Sequence, residues 1–214
     1  MAYFHAGQEV LRSKSMDRNS FDSGDWFNRL DWTPRDNYVG TGLPPKPVNG
    51  ESWPLMQPLL ADSAIKPTAT EIRWTRDAFV DLRRIRACST LFRLRSANDI
   101  VQRLTFCNTG SAQVPTVLVG HVNGDGYEGA GFMELVYLIN VDKAAHTVTI
   151  EALGGRTFEL HPVHRAPGAP GAPGAPGAPG APGAVDTRAA LATWNPVTGR
   201  FSVPPRTAVV WVVP

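Results

Sequence analysis

Charge of one sign, long apolar runs and cysteine are all in short supply in this chain, and each shortage removes a class of protein. Twenty-one Lys and Arg face nineteen Asp and Glu over 214 residues, a net charge of +2. So balanced a surface gathers no polyanion, and no nucleic-acid partner is expected. No stretch approaches the roughly eighteen consecutive apolar residues that a membrane-spanning helix needs, so no membrane partner is expected either. The opening MAYFHAGQEVLRSKS has no basic region followed by an apolar run, so no secretory signal is readable and the compartment stays open. Cys88 and Cys107 are too few for a disulfide framework and lack metal-ligand spacing, so two unbridged thiols are expected. With 43% apolar and 19% charged residues, wholesale disorder is excluded.

What the chain has in quantity is glycine and proline, 20 and 19 residues. Many of them sit in six tandem Ala-Pro-Gly triplets from Ala166 to Gly183. Glycine at every third position with proline raises a collagen-like triple helix, but six triplets without a flanking trimerising segment are too few to hold three chains together. Proline supplies no amide hydrogen and Ala and Gly have little to bury, so the tract reads as a solvated polyproline-like loop of at most about 55 Å, open to protease.

Outside the repeat the chain reads in three blocks. Residues 1–68 are punctuated by Ser23-Gly24, Pro44-Pro45, Pro47, Asn49-Gly50, Pro54, Pro58 and Pro67, which leaves no room for a long helix. Trp26, Trp32, Trp53 and Trp74 cluster near this region and argue for a packed, loop-rich surface rather than disorder. From Thr70 the period changes: Ile72, Thr75, Phe79, Leu82 and Ile85 recur at helical spacing, with Thr70 as the expected cap. Arg83, Arg84 and Arg86 then suit the negative end of that helix. After Leu94 short alternating or apolar runs predict strands over 100–106, 116–122, 134–141, 146–151, 157–160, 200–203 and 207–213. Seven short strands separated by turn signals are the mark of an antiparallel sandwich.

Familiar catalytic signatures are missing. His5, His121, His146, His161 and His164 are scattered, there is no HExxH, nucleophile elbow or phosphate loop, and Gly124, Gly126, Gly129 and Gly131 fall in a hairpin-like loop instead of opening a helix. His121 and His146 are expected on one side of the sandwich, and His161 and His164 have the spacing, though not the setting, of metal ligands. The sharpest feature is RSKSMDRNSFDSGDWFN, residues 12–28. It interleaves Arg12, Lys14 and Arg18 with Asp17, Asp22 and Asp25, and adds Asn19, Asn28, Phe21, Trp26 and Phe27. Bidentate donors, short carboxylates and aromatic faces suit a sugar, whose hydroxyls need both donors and acceptors and whose ring faces are apolar. A surface loop whose charges pair with one another would have the same composition, and composition does not choose between the two.

The runs His5-Ala6-Gly7-Gln8-Glu9, Leu11 to Ser15, Asp17 to Phe21 and Ser23 to Asn28 resemble the segment after the eighth barrel strand of pullulanase-type starch-debranching enzymes. These belong to the α-amylase superfamily of glycoside hydrolases. The likeness continues through Asp36-Asn37-Tyr38, Gly42-Leu43-Pro44, the helix, Leu91 to Leu94, Phe106 to Gly110 and Arg206 to Val213, nearly the whole chain apart from the repeat. The resemblance implies an α+β fold: the terminal strand-loop-helix unit of a (β/α)8 barrel over residues 1–87, then an all-β antiparallel sandwich over 88–214, interrupted by the 166–183 repeat loop. It further implies a C-terminal fragment of an enzyme cleaving α-1,6-glucosidic bonds in pullulan, limit dextrin or glycogen. Such enzymes retain configuration with an aspartate nucleophile, a glutamate acid/base and a second aspartate on earlier strands. No catalytic residue, metal or cofactor is therefore expected in this chain. The residues carried over to substrate binding are Asp17, Arg18, Asn19, Ser20, Asp25, Trp26 and Asn28. Position 19 is often aspartate in the family, so Asn19 departs from its pattern and weakens a carboxylate bond to sugar. The implied partners are an α-glucan in the parent enzyme and the missing barrel portion, without which residues 1–87 are expected to be poorly ordered. The alternative is a noncatalytic glycan-binding or complementing subunit of a split barrel enzyme.

Overall fold

The structure, a computed structural model, describes residues 3–19, 21, 23–165 and 185–214. Ser20, Asp22 and the Ala-Pro-Gly repeat lie outside the described residues. The chain divides into two compact units, Met1–Val80 and Asp81–Pro214. The division falls within a helix and slightly before the 87/88 boundary expected from the sequence.

The first unit carries short helices between its prolines: α1 (Gly24–Asn28), α2 (Lys46–Asn49) and α3 (Trp53–Ala61). Pro54 stands in the first turn of α3, where a missing N–H is harmless, while Pro58 removes an interior bond and keeps the helix short. The Asn49-Gly50 pair, punctuation in the sequence, falls where α2 runs directly into a 3-10 turn over Gly50–Ser52. Tyr3 and Phe4, at the expected barrel strand, join no strand among the described residues, and Phe4 meets Phe79 edge-on at 5.2 Å.

The long helix α4 (Ala69–Cys88) crosses the division, as its periodicity predicts. Its cap is Thr68 rather than Thr70. The Thr68 hydroxyl accepts the Glu71 N–H at 3.3 Å, and the Glu71 carboxylate accepts the Thr68 N–H at 2.7 Å. This reciprocal box places the start two residues earlier than a reading of Thr70 alone.

The second unit opens with α5 (Ala97–Arg103), where the sequence predicts a strand from Ile100. A second capping box explains the difference: Ser96 Oγ accepts the Asp99 N–H and Asp99 returns the bond, both at 3.0 Å. Two satisfied N-terminal donors outweigh the β preference of Ile100-Val101. Only the end of that run becomes β1 (Leu104–Cys107). There follow β2 (Val117–Asn123), β3 (Glu134–Asn140), β4 (His146–Thr149), β5 (Glu159–Leu160), β6 (Trp194–Asn195), β7 (Arg200–Val203) and β8 (Thr207–Val213). One antiparallel sheet has the order β1-β2-β3-β8-β5 and the other β4-β7-β6. β6 lies outside the strand ranges expected from the sequence, in which Asn195-Pro196 is a turn signal. It is an edge strand two residues long, and its Trp194 stacks on Phe201 at 4.1 Å.

The core lies between the sheets: Val119, Val136, Leu138, Val209 and Trp211 from the larger sheet meet Val148, Phe201 and Val203 from the smaller. Neighbouring side chains of a strand point to opposite faces, so Val122, Leu135, Val210 and Val212 enter a second cluster with Ile85, Leu91 and Val163. Burial on both faces is why β8 reads as an unbroken apolar run. His121 and His146 lie on the strand faces that bear Val119 and Val148, paired with Glu134 at 2.9 Å and Asp142 at 2.7 Å.

His161 and His164 are buried in this unit, and among the described residues no three His, Cys, Asp or Glu are placed to hold a metal. His161 Nδ1 accepts the Val163 N–H at 3.2 Å. The neutral ring then carries its proton on Nε2, 3.1 Å from Cys88 Sγ, and the thiol donates to Ile85 O at 2.9 Å. Cys88 and Cys107 are both free, and burial pushes both thiols up. Burial lowers both histidines from 6.5 to about 4, with the nearby charges of His164 and Arg165 adding to the effect at His161.

Because both folded values lie below the unfolded one, the stability tied to neutral histidine is complete above pH 6.5 and drains away towards pH 4. The loss is roughly 3 kcal/mol per histidine at most. His164 Nε2 has no partner among the described residues, so His164→Leu is expected to hold stability at neutral pH and to flatten its fall with acid. Urea denaturation followed from pH 7.5 to 4.5 measures both slopes, and parallel slopes would refute the assignment.

Candidate functional site

The sugar-suited segment belongs to the first unit and is held in an irregular path by side-chain amides and hydroxyls. Asn37 Nδ2 donates to Leu11 O at 2.9 Å, while its carbonyl oxygens take the Ser13 and Val39 N–H groups. Ser15, 1% exposed, donates to Gly42 O and accepts the Thr41 N–H, both at 3.2 Å. Arg12 reaches across to the backbone and side-chain oxygens of Asn28, each at 3.2 Å. These bonds maintain left-handed φ angles at Leu11 (53°), Ser15 (50°), Met16 (67°) and Tyr38 (61°). Such conformations cost about 1–3 kcal/mol each outside glycine and persist where the surroundings over-determine them.

Asp17, 7% exposed, accepts Asn49 Nδ2 at 2.9 Å and the Asn19 N–H at 3.4 Å. Burial alone would raise its carboxyl. The adjacent Ser23 hydroxyl, the Asn49 amide and the Asn19 backbone outweigh burial, with help from Lys14, and hold it below the ordinary range. Arg18 is exposed, yet its backbone N–H bonds Asn49 Oδ1 at 3.2 Å and its guanidinium bonds Val48 O at 3.1 Å. Asn19 is exposed and its Oδ1 accepts the Phe21 N–H at 3.2 Å.

On α1, Asp25 is exposed and makes no ion pair among the described residues. Asn28 Nδ2 closes the helix on Gly24 O at 3.0 Å. Trp26 is 55% exposed yet held at two points: Nε1 donates to Thr41 O at 3.0 Å, and the Arg29 guanidinium lies 3.9 Å from the ring centres of both Trp26 and Tyr38. Thr41 joins the two parts of the rim, its N–H on Ser15 and its carbonyl on Trp26. Asp31 shapes the turn beyond, its carboxyl held well below the usual range by the Thr33 hydroxyl and the Thr33, Arg35 and Asp36 N–H groups.

The structure thus gathers Asp17, Arg18 and Asn19 at one brace and Trp26 and Asn28 at another, while Ser20 lies outside the described residues. Among those residues, Arg12, Lys14, Asp17, Arg18 and Asp25 form no ion pairs with one another, and Arg12, Asp17 and Arg18 bond the neutral groups of Asn28, Asn49 and Val48 instead. Asn49, Ser15, Asn37, Arg29 and Tyr38 were absent from the sequence-derived set. Of these, Ser15 and Asn37-Tyr38 carry a signal, as parts of the resemblance. The arrangement offers an exposed guanidinium, exposed amide and carboxylate groups and a pinned aromatic ring, the donors, acceptors and apolar face that a sugar engages.

Residues 34–175 match the family described as alpha-1,6-glucosidases, pullulanase-type, C-terminal. The chain belongs to that family. It is 38% identical over 218 residues to pullulanase 1, chloroplastic, of Arabidopsis thaliana, covering 98% of this chain and 21% of that protein. The crystal structure of PulA from Klebsiella oxytoca matches 97% of this chain and 18% of its own, with a TM-score of 0.75 and 26% identity. The maltotriose complex of PulA from Klebsiella pneumoniae matches with a TM-score of 0.74, again at 26% identity, over 97% of this chain and 21% of its own. The chain therefore spans about a fifth of the length of these relatives, and its helices and antiparallel sheets are similar to a pullulanase C-terminal region.

Removing the stacked cation is expected to release the indole. Arg29→Ala should raise acrylamide quenching of the Trp26 emission and destabilise the rim by about 1 kcal/mol. The other tryptophans replaced by phenylalanine make that emission readable, and unchanged quenching would contradict the stacking.

Proposed function

We propose that this chain is a C-terminal piece of a debranching glycoside hydrolase acting on α-1,6-glucosidic bonds, and that it lines the glucan cleft without carrying the bond-breaking carboxylates. In this reading residues 1–87 are the last strand-loop-helix unit of a (β/α)8 barrel and 88–214 its sandwich. Asp17, Arg18, Asn19, Ser20, Asp25, Trp26 and Asn28 form the sugar rim, Asp17 bracing it from its buried position and the others facing the glucan. The observation that carries the proposal is a pinned, half-exposed Trp26 in the same unit as exposed Arg18 and Asn19, on a chain that matches relatives named pullulanase over nearly its whole length.

The chemistry supports a rim rather than a catalytic centre. Retaining hydrolysis needs two carboxyl groups about 5 Å apart across the glycosidic bond, one of them a proton donor near neutral pH. Here the acidic groups with resolved shifts in the first unit, Asp17, Asp31, Asp36 and Glu71, are all displaced downwards, away from a proton donor's range. Asp17 and Asp31 are occupied by amide, hydroxyl and backbone donors.

The purified chain is expected to release no reducing sugar from pullulan, and turnover abolished by replacing one of its own carboxylates would overturn the assignment. In affinity electrophoresis through pullulan, Trp26→Ala should weaken retention several-fold, as loss of one stacking surface does. Equal retention of wild type and variant would remove Trp26 from the rim. Restoration of pullulan cleavage on mixing with a separately expressed barrel portion would favour the complementing subunit.

A further inference from the structure

Asn49 carries no signal in the sequence beyond a common Asn-Gly pair, yet it is 1% exposed and its side-chain amide is engaged on both atoms. Oδ1 accepts the Arg18 backbone N–H at 3.2 Å. Nδ2 donates to Asp17 Oδ1 at 2.9 Å and to Pro45 O at 3.2 Å. Asp17 Oδ1 also takes the Asn19 N–H at 3.4 Å, and the Arg18 guanidinium reaches Val48 O, next to Asn49, at 3.1 Å. One planar amide on α2 thus braces Asp17 and Arg18, about thirty positions earlier in the chain, and Asn19 through Asp17. Arg18 and Asn19 are exposed and have little burial to order them. An exposed loop held in one conformation has its ordering entropy removed before a ligand arrives, which is what preorganisation requires.

We propose that Asn49 is the positioning residue of the Asp17-Arg18-Asn19 rim, holding its backbone in the arrangement that receives an α-glucan. The inference rests on the rim reading above. The site needs an acceptor and two donors in one plane at this depth, and asparagine alone supplies them. Leucine keeps the approximate volume and supplies neither. Aspartate keeps the acceptor for Arg18 but sets a second carboxylate against Asp17, with Lys14 as the nearby cation. Two carboxylates that share a site retain a proton well above the ordinary range. Asn49→Asp should therefore regain the missing donor on acidification, a recovery that a merely volume-filling role would not produce.

The test uses the full chain, with maltotriose as the probe and Arg18→Ala as the rim control. In Asn49→Leu the Arg18 and Asn19 amides should exchange about tenfold faster while those of Leu138 and Val209 do not change, and the Asp17 carboxyl should titrate higher. Asn49→Asp should shift the Arg18 amide resonance at about pH 8 and restore it near pH 5. Maltotriose should bind about tenfold more weakly to Asn49→Leu, in step with Arg18→Ala. Unaltered Arg18 and Asp17 signals in both variants would overturn the proposal, as would full maltotriose affinity in Asn49→Leu alongside weakened Arg18→Ala. Altered signals with equal maltotriose affinity in wild type and Arg18→Ala would support the brace and sink the glucan reading instead.

Discussion

Every backbone N–H and C=O withdrawn from water must find a partner, and in a segment with this much proline and glycine the partner cannot be a regular ladder. The first unit meets that constraint with side chains. Asn37, Ser15, Asn49 and Asp31 take the bonds that a strand or helix would otherwise supply. Each is short and carries its polar group close to the main chain, so each can bond a neighbouring segment with little side-chain entropy to lose. The consequence is a loop that is irregular but specified, with Arg18, Asn19 and Trp26 left facing solvent in definite positions.

The second unit meets the same constraint by the ordinary route. Its β8 is buried on both faces and pairs with β3 along its full length and with β5 on the other side. Where strands end, asparagines take over, Asn140 buried and Asn108 half-buried. Asn140 donates to Ala144 O and Pro204 O, and Asn108 donates to Val114 O and Val117 O, so both corners are closed by one amide each. Tyr137 lies across Gly120 on the neighbouring strand, in space that any larger residue at 120 would occupy. The same economy of short polar side chains at irregular points runs through both units.

Much of this was legible in order along the chain. The strands over 200–203 and 207–213 and the helix from the Thr70 region follow from local period, because a half-buried strand or helix repeats its burial every two or 3.6 residues. The reading failed where a side chain competes with the main chain. Thr68-Glu71 and Ser96-Asp99 set helix starts that apolar spacing did not reveal, and the second of them turned an expected strand into α5. At the candidate site the exposed chemistry was readable from residue type. Its supports were not: nothing near Asn49 or Arg29 in the chain announces a partner at Arg18 or Tyr38.

The amino-acid order by itself determined the class of each segment, the family to which the chain belongs and the inventory of groups that suit a sugar, because these depend on composition, period and motif. Only the tertiary structure decided which of those groups are available. It withdrew Asp17 beneath Asn49, pinned Trp26 between Thr41 and Arg29, and left Arg18 and Asn19 outside. Availability is set by contacts between residues distant in sequence, and a hydrogen bond across thirty positions leaves no local period to read.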